Sequence, residues 1–310
     1  MPLLEYTSRR SAIVGVAFVL ISATGFSAKA IFAKLLYAYH IDPITVIALR
    51  MIFSLPFFLL LAWWSSSRAD STPVSRQDWL VLCLLGFSGY YLSSYLDFLG
   101  LQYISAGLER LILFLTPTMV VLFSAVLFKR KVKRHHLAAL ALSYGGIALV
   151  FIDNVRIASD RGEVYLGGAL VFASALMYAF YLIASGEIIP RVGPSRFAAY
   201  ASTVSCAFCI AQFLLTRDLS VLVLPMPAYV MLGAMAVFST VLPVWWMAEG
   251  VRRIGSNQAA MISSIGPVAT ISLGVIFLNE PLTVVQVIGA ALVLAGVILV
   301  SRRAEAAKSA

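Results

Sequence analysis

The chain has 310 residues, of which 61% are hydrophobic and 12% charged, against roughly 25% charged in soluble domains. That composition leaves no stretch from which a soluble domain can be built and places the protein in a membrane. The net charge of +9 does not point to nucleic acid, because no basic run is interleaved with exposed aromatics and no nucleic-acid motif occurs.

A helix needs ~20 mainly apolar residues to cross bilayer hydrocarbon. Ten segments qualify, at roughly 13–36, 44–64, 79–101, 105–128, 136–153, 164–187, 196–215, 228–249, 256–278 and 283–301. The expected fold is all-α, with ten transmembrane helices in one multi-pass membrane domain. Arg9 and Arg10 followed by an apolar run resemble a signal peptide. The apolar pattern continues past Lys29, however, so the first helix is expected to stay uncleaved.

The first span carries Ser22, Phe26 and Lys29, the second Arg50, and the third Tyr90, Tyr91, Ser94 and Asp97. The fourth begins with Glu109 and Arg110 and holds Pro117 near its middle. Charges inside a membrane are functional suspects by default. Lys29 falls about 24 Å along the first helix, toward one end, and Arg50, Asp97, Glu109 and Arg110 fall at similar depth. Two readings stand for them: snorkelling toward the interface, or an external gate and charge network in which Glu109 and Lys29 are the preferred pair.

The sixth span holds Tyr178 and Tyr181, the eighth Trp245 and Trp246, and the ninth Pro267. With Ser22, Phe26, Tyr90, Tyr91 and Ser94 these aromatics suit a cavity with an apolar body and a few oriented hydrogen bonds. Singly, each also reads as bundle filler. Proline removes a backbone donor and kinks a helix, so Pro117 and Pro267 are either packing kinks or hinges. Cys206 and Cys209 lie one turn apart in the seventh span with no second ligand pair, and read as ordinary membrane helix rather than a metal site.

Residues 100–150 recur at 250–300 without a gap. Gly100, Ile104, Ile112, Pro117, Ala141, Leu142, Gly146, Leu149 and Val150 land on Gly250, Ile254, Ile262, Pro267, Ala291, Leu292, Gly296, Leu299 and Val300. Gly15, Ala17, Val19, Ser22 and Ala23 similarly match Gly167, Ala169, Val171, Ser174 and Ala175. The chain therefore reads as two five-helix units, 1–154 and 155–310. Five is odd, so equivalent helices cross in opposite directions and the repeat is inverted. Sixteen Lys and Arg residues fall on the N-terminal side of the membrane and three (Arg156, Arg161, Arg217) on the other, which places both termini in the cytoplasm. Much of that bias is the cluster Lys129, Arg130, Lys131, Lys133 and Arg134.

The run Leu278, Asn279, Glu280, Pro281, Leu282, Thr283, followed by Gln286, Gly289, Ala290, Ala291, Ala295 and Gly296, resembles the closing helix pair of the EamA repeat of the drug/metabolite transporter superfamily. The first repeat is similar at Pro117, 137–142 and Gly145-Gly146, but its turn, Lys129-Arg130-Lys131-Val132, departs from the usual form. Among ten-helix members the chain is most similar to YddG-type amino-acid exporters. The resemblance implies a secondary transporter in the bacterial inner membrane that exports small solutes, amino acids first, by alternating access. Other small metabolites, organic anions or drugs are the alternative.

No dinucleotide or ATP-binding glycine pattern occurs, and no acidic pair lies one turn apart within a span, so a membrane-embedded enzyme is the weaker reading. The expected partners are a small-molecule substrate and membrane lipid. No cofactor or metal is expected, and one chain is expected to suffice for transport.

Overall fold

A computed structural model describes residues 2–67, 74–127 and 134–306. The basic residues Lys129, Arg130, Lys131 and Lys133, together with Arg68 and Lys308, lie outside this set. No strand occurs among the described residues. The helices are α1 Pro2–Tyr37, α2 Pro43–Ser66, α3 Arg76–Leu101, α4 Ala106–Leu127, α5 Arg134–Ile157, α6 Arg161–Val192, α7 Pro194–Thr216, α8 Met226–Gly255, α9 Met261–Leu278 and α10 Val284–Ala306. Nine helical stretches among the described residues are long and apolar enough to cross a membrane. The apolar stretch within α10, Val284–Leu299, is shorter.

Caps fix where several helices begin. The Asp42 carboxylate accepts from the backbone N–H of Ile44 and Thr45 and so starts α2. Ser105 accepts from the N–H of Leu108 and starts α4. Asp160 accepts from Gly162 N at 2.7 Å and starts α6. Each satisfies donors that a helix start leaves orphaned.

Four helices are irregular, and the irregularities come in pairs. α3 widens into a π-helical segment at Gly86–Leu92 and α8 does so at Val237–Val241. α4 is interrupted at Phe114 and Leu115, and α9 at Ser264 and Ile265. At those breaks Leu115 N bonds back to Ile112 O at 3.0 Å and Ile265 N to Ile262 O at 3.2 Å, one residue short of α-helical spacing. Pro117 and Pro267 sit two residues beyond, where each lacks the donor that would carry the preceding helix through.

Helix packing repeats in the same way. α1 lies on α8 and α6 on α3; α5 pairs with α10, and α2 with α7. Lipid gives no hydrophobic drive for helices to associate, so close backbone approach at small residues matters more than in water. A Cβ added to Gly100 would lie 2.7 Å from Gly167 O, and one added to Gly167 would lie 2.8 Å from Gly100 O. Gly15 and Gly250 meet at the matching crossing of α1 and α8. Along the α5–α10 pair, Gly146 faces Gly289 O and Gly296 faces Ala139 O. Hydroxyls repeat the pattern: Ser22 donates to Pro243 O and Ser174 to Ser93 O, both at 2.7 Å. Cys206 and Cys209 are buried, and Cys206 Sγ lies 3.7 Å from Met51 Sδ at the α2–α7 contact.

Candidate functional site

Seven helices, α1 to α4 and α6 to α8, enclose a cavity of about 780 Å³. Its lining changes along its length. At one end stand Lys29, Arg50, Asp97 and Arg110; the middle has Phe26, Tyr90, Ser94, Tyr178 and Thr240; the other end is apolar, with Phe58, Leu61, Val121 and Leu182.

The charged end is built by the helix starts. Ser105 caps α4 so that Glu109 and Arg110 fall in its first turns, beside the far end of α3 that carries Asp97. Lys29 Nζ donates to Asp97 Oδ2 at 2.5 Å and lies 3.7 Å from Glu109 Oε1. Asp97 is therefore the nearer partner, and Glu109, which is 1% exposed, the second. Neither Glu109 oxygen has a hydrogen-bond partner. The Phe98 ring carries two cations, the Arg50 guanidinium 4.9 Å and the Lys29 ammonium 5.5 Å from its centroid. Such contacts are worth ~2 kcal/mol or more when desolvated. The Arg110 guanidinium lies against Gly266, at the break in α9, in space that a Cβ there would occupy.

The charges and the aromatics thus share one cavity. The sequence reading places the charges toward the outer side, as an external gate or an anchor at the cavity mouth, and the aromatics near mid-membrane. Of the aromatic and hydroxyl set, Phe26, Tyr90, Ser94 and Tyr178 line the cavity. The others do not. Ser22 is fully buried in its bond to Pro243. Tyr91 packs with Phe87 and Phe208. Tyr181 stands behind the wall, 5% exposed, stacked on Tyr178 and Phe197, in the room left by Gly89. Trp245 is 58% exposed and meets Phe18 edge-on, and Trp246 is half-buried away from the lining. Both tryptophans follow the widened turn of α8, which turns the residues after it by ~100° relative to a regular helix.

Pro117 faces the cavity, whereas Pro267 is buried outside it. Sequence reasoning missed Thr116 and Thr240, and the stripe Ala198, Ser202 and Ser205 on α7. That stripe has the i, i+4, i+7 spacing of a single helix face, so it was legible in principle.

The chain matches one family twice, over residues 13–152 and 165–302. It belongs to the EamA-like transporter family. Among the relatives of this EamA-like transporter is one described as an uncharacterized transporter, YcbK of Bacillus subtilis (strain 168). The two are 31% identical over 297 residues, covering 92% of each chain. An uncharacterized transporter of Archaeoglobus fulgidus is 24% identical over 292 residues, covering 93% of this chain and 96% of that one. A solved crystal structure superposes with a TM-score of 0.63 at 19% identity, covering 96% of this chain and 99% of that chain, which speaks to the fold alone. The protein is a multi-pass transporter of the cell membrane.

Proposed function

We propose that this transporter exports small solutes bearing a carboxylate and an apolar body, amino acids first among them, by alternating access through the central cavity. The observation that carries this is the gradient along one 780 Å³ cavity, from charged residues at one end to apolar residues at the other. A solute with a charged head and an apolar tail fits that gradient in one orientation only. Organic anions form the second reading, favoured by the presence of Lys29, Arg50 and Arg110 in the lining. The likeness to YddG-type exporters noted from the sequence supports the amino-acid reading.

The mechanism follows from the repeats. Two inverted five-helix units, 1–154 and 155–310, with both termini cytoplasmic, would exchange conformations and open the cavity to either side in turn. The paired contacts of Gly100 with Gly167 and Gly15 with Gly250 support that exchange. A monomer is the working unit in this scheme. In this orientation the charged end of the cavity faces outside. A cysteine at residue 160 should then react with an impermeant reagent from outside and one at residue 132 should not; the opposite pattern reverses the orientation.

Uptake of labelled amino acids into liposomes holding the purified protein tests the substrate reading. Apolar amino acids are expected to exchange, at rates above protein-free liposomes. Competition by phosphorylated metabolites and by no amino acid would discard it.

Pro117 and Pro267 act as hinges in this scheme. The carbonyl of Leu113, which the residue 117 N–H would otherwise use, accepts from Thr116 Oγ1 at 2.7 Å. Pro117→Ala restores the backbone donor, and the protein should remain folded. Transport should slow by up to about tenfold, equivalent to about 1.4 kcal/mol on the barrier. Unchanged rates in both single proline variants would make these plain packing kinks.

A further inference from the structure

Two arginines bring positive charge to the cavity without a carboxylate of their own. Lys29 is matched twice, by Asp97 and by Glu109. Among the described ion pairs, none involves Arg50 or Arg110. Arg50 is 4% exposed and its Nε is buried without a hydrogen-bond partner. Arg110 Nε is likewise buried and unpartnered. The Phe98 ring offsets part of the Arg50 charge, but a ring face occupies the cation without satisfying its in-plane N–H groups. Both side chains line the cavity; their Nε atoms are buried, so it is the rest of each guanidinium that a solute would meet.

We infer that Arg50 and Arg110 form the carboxylate-binding end of the cavity, and that the solute it completes is a monoanionic organic acid. This rests on the transport reading and deepens it by naming the group recognised. Guanidinium presents a planar fork of donors that matches a carboxylate. The formal charges of Lys29, Arg50, Arg110, Asp97 and Glu109 leave one positive charge in excess. One carboxylate brings that cluster to zero inside the membrane, where an unmatched charge is expensive. A phosphate monoester, at about −1.5 to −2 near neutral pH, overshoots. An ammonium adds to the excess. An amino acid satisfies the arginines through its carboxylate but leaves the excess in place, so its deaminated analogue should bind at least as well.

Four probes that share one phenyl tail separate these cases: 3-phenylpropanoate, phenylalanine, phenethylamine and 2-phenylethyl phosphate. Thermal unfolding of the full chain in detergent reads binding, because a ligand that prefers the native state raises the melting temperature. The expected order of stabilisation is 3-phenylpropanoate at or above phenylalanine, then the phosphate, with none from phenethylamine. Arg50→Gln and Arg110→Gln should each abolish stabilisation by both carboxylates. Arg50→Lys and Arg110→Lys, which keep the charge and lose the fork, should weaken binding at least about tenfold and cover the case in which a glutamine variant does not fold. Stabilisation by phenethylamine equal to that by 3-phenylpropanoate overturns the inference. So does stabilisation by the phosphate above the carboxylate, the absence of any carboxylate effect, or a carboxylate effect that survives in folded variants of both arginines. Liposome uptake keeps the two readings apart. Arginine-dependent binding without transport sinks the transport reading alone. Transport of these acids with unchanged KM in the arginine variants sinks this one alone.

Discussion

Lys29→Met is expected to destabilise the folded protein by about 3–5 kcal/mol, the usual cost of removing one partner from a buried ion pair. The side chains left behind are Asp97, 4% exposed, and Glu109, 1% exposed. Without the ammonium, two carboxylates would sit together in a site where, among the described residues, no other cation lies within ion-pairing distance of either. Asp97→Asn should cost less, because Lys29 keeps Glu109 at 3.7 Å. Combining Lys29→Met with Asp97→Asn should recover part of the loss, since one of the two stranded charges is then gone. Chemical unfolding in detergent measures all three. A Lys29→Met variant within about 0.5 kcal/mol of the parent, the range of a surface substitution, would mean that Lys29 reaches solvent and the snorkelling account was right.

The involvement of Lys29, Asp97 and Glu109 with one another was legible because charge within an apolar span is rare and must find a partner. Which carboxylate is nearer was not, since that depends on how α3 and α4 lean on α1. The helices themselves were legible from apolar length, and several boundaries came within a few residues. α6 is a larger exception: Arg161–Val192 runs past the predicted 164–187 at both ends, because it starts from the Asp160 cap and Pro190 near its end does not stop it. The offsets of 150 and 152 align Gly100 with Gly250 and Gly15 with Gly167, the four glycines that meet at the two crossings.

Side-chain direction was harder to read. Tyr90 lines the cavity and Tyr91 does not, and both lie in the π-helical segment Gly86–Leu92. Such a turn inserts a residue and resets the face of everything beyond it, and no residue type in that segment announces it. Trp245 and Trp246 fail as cavity residues for the same reason, downstream of Val237–Val241. Depth along a helix can be counted from sequence. Azimuth cannot be counted through an irregular turn.

Loss of the Glu280 carboxylate is expected to let the charged end of the cavity open about tenfold more often, a shift of about 1.4 kcal/mol. Asn279 adopts the left-handed conformation at φ 52°, and the turn carries Glu280 back across to the start of α4. There its carboxylate accepts from Ala106 N at 2.8 Å and Gly107 N at 3.4 Å. Lys34, in the last turn of α1, lies 3.4 Å away. Thr283 donates to Asp153 and Ser105 to Asn154 alongside. One side chain thus joins the α9–α10 turn, α4 and α1, all of which must separate for this end to open. A cap of this kind is worth ~0.5–2 kcal/mol, and a carboxylate at a helix N-terminus adds ~0.3–1 kcal/mol. Ser94→Cys places a thiol in the cavity lining, and its labelling by an impermeant reagent from the Glu280 side reports opening against the parent chain as baseline. Glu280→Ala should raise that rate about tenfold, and Glu280→Gln less, because its amide oxygen still accepts from Ala106. Equal rates in all three chains would mean that the contact is not part of the seal. The position matching Glu280 in the first repeat is Arg130, and a guanidinium cannot accept from helix N–H groups.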